Sequence, residues 1–128
     1  MTKPNEIYKC NVCGNIVSVI EAHDGILVCC NQAMNLMEAK STVQEGNEKH
    51  VPIVKIEGDK VVVNVGSIDH PMMDAHWIQL IQLLRNNSVI AEKRLKPGEK
   101  PQAEFCLTDT SDITARELCN LHGLWKSE

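Results

Sequence analysis

The strongest chemical signal in the sequence comes from four cysteines near its start. Cys10 and Cys13 form a C-x-x-C pair, and Cys29 and Cys30 follow as direct neighbours. Four thiolates at this spacing predict a metal site, and Gly14 lets the backbone turn tightly around the ion. Zinc and iron both accept four thiolates, and only iron exchanges an electron. Disulfides are the alternative, which a reducing compartment disfavours.

A second candidate site depends on histidines that are far apart in the sequence. Those that lie beside other reactive residues or in predicted loops are His50, His70, His76 and His122. Cys119 joins them, because Cys119 and His122 form a C-x-x-H pair. A single histidine is more often a hydrogen-bonded residue than a ligand, but this group favours a metal site. Four imidazoles and one thiolate exceed the usual ligand number of structural zinc and leave one octahedral position open for a small oxygen species.

The elements that must position these residues are predicted to be strands. Hydrophobic residues make up 43% of the chain and aromatic residues only 3%, so a core must come mainly from Val, Ile and Leu. The β-branched residues among them favour strands. The polar stretch 41–49 follows the cysteine-rich segment, and we place a domain boundary near residue 38.

Two hairpins are predicted from turn residues. Residues 51–56 and 60–65 flank Gly58-Asp59, so Glu48 and Lys49 stand directly before the first strand of this hairpin. Residues 16–20 and 26–28 flank Asp24-Gly25 and predict another hairpin, with His23 in its turn.

Two further segments are predicted to be strands. Residues 77–85 fit a helix as well as a strand, and the short strands around them favour a strand. In the run QAEFCL, Ala103, Phe105 and Leu107 share one face and Cys106 lies on the other, as a free thiol. Several short strands without a convincing helix predict an all-β chain whose main domain is an immunoglobulin-like β-sandwich.

The charge and the absence of apolar segments exclude several classes of protein. The formal net charge is -4 and the pI is near 5.7, which argues against nucleic acid as a partner. No run approaches the roughly 18 apolar residues of a membrane helix, and the start of the chain offers no signal-peptide core. We therefore expect a cytoplasmic protein that has no membrane partner.

The motifs CNVCGN, CC, EKHVP, HPMMDAHWI and CNLHGLW, in this order, resemble desulfoferrodoxin, the two-iron class of superoxide reductase. The resemblance covers nearly the whole chain. It implies a desulforedoxin-like (rubredoxin-like) iron module over residues 1–38, followed by an immunoglobulin-like β-sandwich over residues 39–128. It also implies a homodimer and a rubredoxin-type electron donor. Asn31 stands where the family often has Gly, and Asn tolerates a positive φ better than most residues.

The resemblance assigns the ligands of two iron ions per chain. One iron would bind the four cysteines, Cys10, Cys13, Cys29 and Cys30. The other would bind four histidines in the equatorial plane and one axial cysteine: His50, His70, His76, His122 and Cys119. Glu48 and Lys49 match the active-site loop of the family, in which the lysine attracts the anionic substrate and the glutamate binds the open position of ferric iron. Trp77 and Trp125 each follow a ligand closely and are interpreted as apolar cover.

The activity implied by the resemblance is the reduction of superoxide. One superoxide, one electron and two protons give hydrogen peroxide, without dismutation. The alternatives are a non-catalytic iron electron-transfer protein, a copper centre with two histidines and a cysteine, and a zinc-stabilised binding module. A copper centre of that kind needs fewer histidines than the sequence offers.

Overall fold

The computed structural model describes residues 1–41 and 50–127, and these residues form strands and turns without a helix. They divide into two compact units, Met1–Glu38 and Ala39–Glu128. No helix in the described part of the chain is long and apolar enough to span a membrane. The strands are β1 Ile7–Lys9, β2 Ile16–Ser18, β3 Val28–Cys29, β4 Gln32–Ala33, β5 Asn35–Met37, β6 Pro52–Glu57, β7 Lys60–Val65, β8 Ile78–Arg85, β9 Ser88–Arg94, β10 Gln102–Cys106, β11 Ile113–Cys119 and β12 Gly123–Lys126. The prediction of an all-β chain is confirmed.

In the smaller unit the four cysteines lie in or directly beside the turns between paired strands. β1 pairs with β2 and β5, and β3 pairs with β4. The hairpin predicted for residues 16–20 and 26–28 is therefore wrong, because β2 pairs with β1 across the turn that holds Cys10 and Cys13. The Asp24-Gly25 stretch connects strands that belong to different sheets.

The β3–β4 turn has the backbone of a tight hairpin. Val28 and Cys29 pair with Ala33 and Gln32, which leaves Cys30 and Asn31 as the two turn residues. Both have positive φ, 52° and 62° respectively, as a type I′ turn requires. Asn31 thus adopts the left-handed conformation that an asparagine accepts at low cost.

The larger unit is a β-sandwich of two antiparallel sheets. Sheet I has the strand order β10-β7-β6, and sheet II has the order β12-β11-β8-β9. The predicted hairpin of residues 51–56 and 60–65 is confirmed as β6 and β7, which pair from Pro52 with Val65 to Glu57 with Lys60. Residues 77–85, which fit a helix as well as a strand and were predicted to be a strand, contain β8, so this prediction is confirmed.

The core of the sandwich comes from the facing sides of the two sheets. Val61, Val63 and Val65 of sheet I and Ile81 and Leu83 of sheet II are fully buried. Successive residues of a strand point to opposite faces, so the intervening residues of β7 lie on the outer side. In β10, Ala103 packs in the core while Cys106 is exposed, as predicted.

A carboxylate interrupts this apolar core. Glu117 lies opposite Ile81 and Trp125 in the register of sheet II and is only 1% exposed. Its two carboxylate oxygens are buried and have no hydrogen-bond partner among the described residues. Burial raises the pKa of Glu117 well above its usual value, because an ionised carboxylate loses its hydration there.

We predict that Glu117 makes the larger unit less stable as the pH rises. The unfolded carboxyl loses its proton near pH 4.5 and the folded one at higher pH, so above pH 4.5 the folded state binds more protons. The free energy of unfolding should therefore fall as the pH rises above this value. Glu117→Gln should flatten this dependence in urea unfolding measured between about pH 5 and 8. The exposed Glu57→Gln is the control, and equal slopes for the two variants would contradict the prediction.

Candidate metal centres

The four predicted cysteine ligands meet in the smaller unit. Cys10 and Cys13 lie in the β1–β2 turn, Cys29 ends β3 and Cys30 follows it. Their sulfur atoms all lie within 4.8 Å of one another, with 3.6 Å from Cys13 to Cys29 and 3.9 Å from Cys29 to Cys30. Four sulfurs at tetrahedral corners, each about 2.3 Å from an ion, are about 3.8 Å apart. The arrangement therefore fits one tetrahedral metal ion.

Backbone N–H groups at this site stabilise a negative charge on a cysteine sulfur. The N–H groups of Val12 and Cys13 donate to Cys10 Sγ at 3.4 and 3.5 Å. These hydrogen bonds, first that of Cys13 and then that of Val12, lower the pKa of Cys10 to about 6. The neighbouring cysteine side chains, Cys13 first, raise the pKa of Cys30 to about 12. Four thiolates this close need a cation, because without one the first thiolate opposes ionisation of the others.

The four predicted histidine ligands form a closed ring in the larger unit. The imidazole centres are 5.0 Å apart between His50 and His70 and 4.6 Å apart between His70 and His76. The ring closes through His122, whose imidazole is 4.9 Å from that of His76 and 4.7 Å from that of His50. The structure therefore brings together imidazoles from three separate segments of the chain.

Cys119 lies with these imidazoles and is the most deeply buried member of the group. It ends β11, is 1% exposed and belongs to the core of the sandwich. Its sulfur is 3.8 Å from His122 Nδ1, and the donor atoms of His50, His70, Cys119 and His122 all lie within 4.8 Å of one another. His50 and His70 are buried, whereas His122 is exposed. The core therefore shields the Cys119 sulfur from solvent, whereas the group is open to solvent at His122.

The protonation states of the site suit a bound cation. The pKa of His50 is lowered to about 4, first by burial and then by the neighbouring imidazoles and Lys40. A neutral imidazole keeps a nitrogen lone pair available for an ion, and His50 Nδ1 is buried without a hydrogen-bond partner among the described residues. Burial raises the pKa of Cys119, so a cation is needed to hold its sulfur as a thiolate. These residues fit a metal ion.

An aromatic ring and an amide support the ring of imidazoles. Trp125 of β12 stacks on His50 with 4.8 Å between ring centres and 14° between planes, as expected for apolar cover. Asn120 holds the segment that carries His76: its Oδ1 accepts from Trp77 N at 2.9 Å, and its Nδ2 donates to Ala75 O at 3.0 Å. The Asn of the C-x-x-H motif is a signal for this role, since asparagine side chains often bond nearby backbone groups.

Some residues singled out from the sequence lie elsewhere. Glu48 and Lys49 fall outside the described residues. His23 is exposed and lies 3.6 Å from a carboxylate oxygen of Glu21. Cys106 is an exposed free thiol on the outer side of sheet I. Neither His23 nor Cys106 belongs to a metal-binding group found in the described part of the chain.

Comparison with known proteins decides which family combines these two centres. The family model for desulfoferrodoxin matches residues 42–128, and that for the desulfoferrodoxin N-terminal domain matches residues 2–37. The chain belongs to the desulfoferrodoxin family. The two donor sets match the two iron sites of this family, so the cofactors are two iron ions per chain.

Individual relatives agree with this assignment. A desulfoferrodoxin homolog from Archaeoglobus fulgidus is 52% identical over 128 residues, which are 99% of each chain. A desulfoferrodoxin from Nitratidesulfovibrio vulgaris is 48% identical and covers 100% of this chain and 99% of its own. The crystal structure of a superoxide reductase from Treponema pallidum superposes with a TM-score of 0.75 at 27% identity, and the match covers 96% of this chain and 97% of that one.

We predict that Asn120→Ala loosens the second centre without affecting the first. Loss of two hydrogen bonds at a half-buried position should lower the free energy of unfolding by about 1–3 kcal/mol and speed the loss of iron from the histidine site to a chelator. Asn120→Asp keeps the acceptor for Trp77 N and should have a smaller effect. The absorption of the four-cysteine centre is the internal control. Equal loss of iron from both centres would contradict the prediction.

Proposed function

We propose that the chain is a superoxide reductase that converts superoxide to hydrogen peroxide at the histidine and cysteine site. The observation that supports this most strongly is the closed ring of four imidazoles, with Cys119 in the core and His122 open to solvent. Ferrous iron held by these residues would supply the single electron, and two protons from water would complete the reaction. A pure electron carrier needs no solvent-open ligand position, and structural zinc needs fewer ligands.

The roles of the residues follow from the properties of the site. His50, His70, His76 and His122 act as neutral donors, which leaves the metal with its positive charge and attracts an anion. Cys119 would bind the metal as a thiolate on the side that the core closes to water, which leaves the solvent-exposed side, at His122, for the substrate. We propose that the chain has two domains: residues 1–38 carry the four-cysteine iron centre, and residues 39–128 carry the catalytic iron.

The decisive measurement is superoxide consumption by the fully reduced protein, with hydrogen peroxide and oxygen followed together. Reduction gives peroxide without oxygen, whereas dismutation gives both. His76→Ala should abolish turnover and lower the iron content by about one ion per chain, because it removes one donor of the ring. His23→Ala is the matched control and should behave as the unchanged protein. Turnover that survives His76→Ala would contradict the assignment of this site.

We further propose that Glu48 and Lys49, directly before His50 in the sequence, act at this site. The lysine would attract superoxide to a protein of net charge -4, and the glutamate would bind the iron in its ferric form, which favours oxygen ligands. This proposal is supported by the motif EKHVP and by the position of His50 in the ring of imidazoles.

The two residues should respond differently to substitution. Lys49→Ala should slow the second-order reaction with superoxide about tenfold or more and flatten its dependence on ionic strength, because a nearby cation is lost. Glu48→Ala should leave this rate largely unchanged and shift the absorption spectrum of the ferric site. Pulse radiolysis and visible spectra of both variants provide the check. An unchanged rate for the first or an unchanged spectrum for the second refutes that residue's role.

A homodimer is the assembly that we propose. The smaller unit exposes a set of large apolar side chains that a second copy would cover: Val12, Val17, Ile20, Ile26 and Val28. Large apolar side chains exposed to water in such numbers favour an interaction surface in this unit. We predict that sedimentation gives twice the mass of the chain and that Ile20→Glu with Ile26→Glu shifts it to the monomer, while the same change at Ile68, which is exposed in the larger unit, does not. A monomeric unchanged protein would refute the proposal.

Re-reduction of the catalytic iron requires an electron donor, for which we propose a rubredoxin-type protein in the cytoplasm. A reducing compartment agrees with the absence of disulfides among the cysteines. Rapid mixing of the ferric protein with reduced rubredoxin tests the donor, and a failure to transfer electrons would exclude this class of donor.

A further inference from the structure

Lys40 is held beside the ring of imidazoles by its main chain. Its N–H donates to Leu124 O at 3.0 Å, and its carbonyl accepts from Lys126 N at 2.8 Å. These bonds form a parallel bridge opposite Trp125 in β12. The α-carbon of Lys40 therefore has a fixed position relative to the tryptophan that covers His50.

The side chain of Lys40 points at the residues of the site. Its ammonium nitrogen lies 5.0 Å from the centre of the Trp125 ring, a cation–π distance, and donates to His122 O at 3.3 Å. Trp125 Nε1 donates to the same carbonyl at 3.1 Å. The ammonium thus shares one acceptor with the indole that stacks on His50, and that acceptor belongs to the exposed histidine of the ring.

No carboxylate in the described part of the chain lies within ion-pair distance of this ammonium. The ion pairs found there are His23 with Glu21 and Lys60 with Glu104. A charged side chain acts over a Debye length of about 10 Å at moderate salt. The net charge of the chain is -4, so a cation beside the site adds to the local attraction of an anion.

We propose that Lys40 is a fixed cation of the second metal site, which speeds the capture of the anionic substrate and favours the less positive, ferrous state of the bound iron. This inference rests on the proposed superoxide reductase activity for the capture step, but the effect on the iron is independent of any substrate. Lys40 acts through its field and through the His122 carbonyl, so it is a positioning residue. Its role is separate from the one proposed for Lys49, because Lys40 is held by β12.

The competing explanation is a purely mechanical role for Lys40, in which its hydrogen bond to His122 O holds the ligand in place. Lys40→Met and Lys40→Arg distinguish an effect of the positive charge from an effect of the hydrogen bond to His122 O. Methionine keeps an aliphatic chain over the indole and loses the charge, whereas arginine keeps the charge. Lys93→Met is the matched control, since Lys93 is exposed in β9, at the edge of sheet II opposite to β12.

The experiment measures three properties of the iron-loaded protein: the second-order rate with superoxide at several ionic strengths, the midpoint potential of the histidine site, and its iron content. Lys40→Met should lower the rate about two- to fivefold at low ionic strength, weaken its salt dependence and lower the midpoint potential. Lys40→Arg and Lys93→Met should match the unchanged protein.

Two results would overturn the inference. One is an unchanged potential and salt dependence in Lys40→Met. The other is an equal loss of iron in Lys40→Met and Lys40→Arg, which indicates a mechanical tie. If the unchanged protein does not reduce superoxide but Lys40→Met still lowers the potential, the proposed activity fails while the role of Lys40 at the iron stands.

Discussion

The structure depends on the requirement that five donor atoms from distant parts of the chain surround one ion. The donors come from His50, two residues before β6, from the loop between β7 and β8, and from the end of β11 with the turn that follows it. Only a rigid scaffold holds three such segments within a few ångströms, because each loop alone has too few contacts to fix an imidazole. The valine and isoleucine core between the sheets provides this rigidity.

The two metal sites use opposite strategies to bind iron. In the smaller unit the ligands lie within 21 residues and the hairpin turns themselves supply the sulfurs, so local backbone geometry builds the site. In the larger unit the ligands lie up to 72 residues apart, between His50 and His122, and only tertiary packing brings them together. A local site of four thiolates suits electron storage. A long-range site of neutral donors with an exposed member suits reaction with a small molecule.

The sequence predicted those features that local chemistry decides. The C-x-x-C and C-x-x-H pairs and the Gly58-Asp59 turn each carry a short-range signal, and the all-β fold, the β6–β7 hairpin and the two donor groups follow from them. The predicted hairpin around Asp24-Gly25 is wrong because β2 pairs with β1 and β3 pairs with β4, each across a turn that carries cysteines. The hairpin and cysteine patterns do not predict β9. Asn86 and Asn87, both at positive φ, form the turn before it, and a pair of asparagines is a sequence signal for such a turn. The roles of Lys40 and Glu117 depend on the residues that pack around them, so local sequence patterns do not predict these roles.

The burial of Cys119 has a consequence for the durability of the protein. Its sulfur ends a core strand and offers almost no surface to solvent, so a bulky reagent reaches it only after the sandwich opens. An enzyme that generates an oxidant thereby keeps the cysteine of its histidine site away from bulk solvent, behind the valine and isoleucine core.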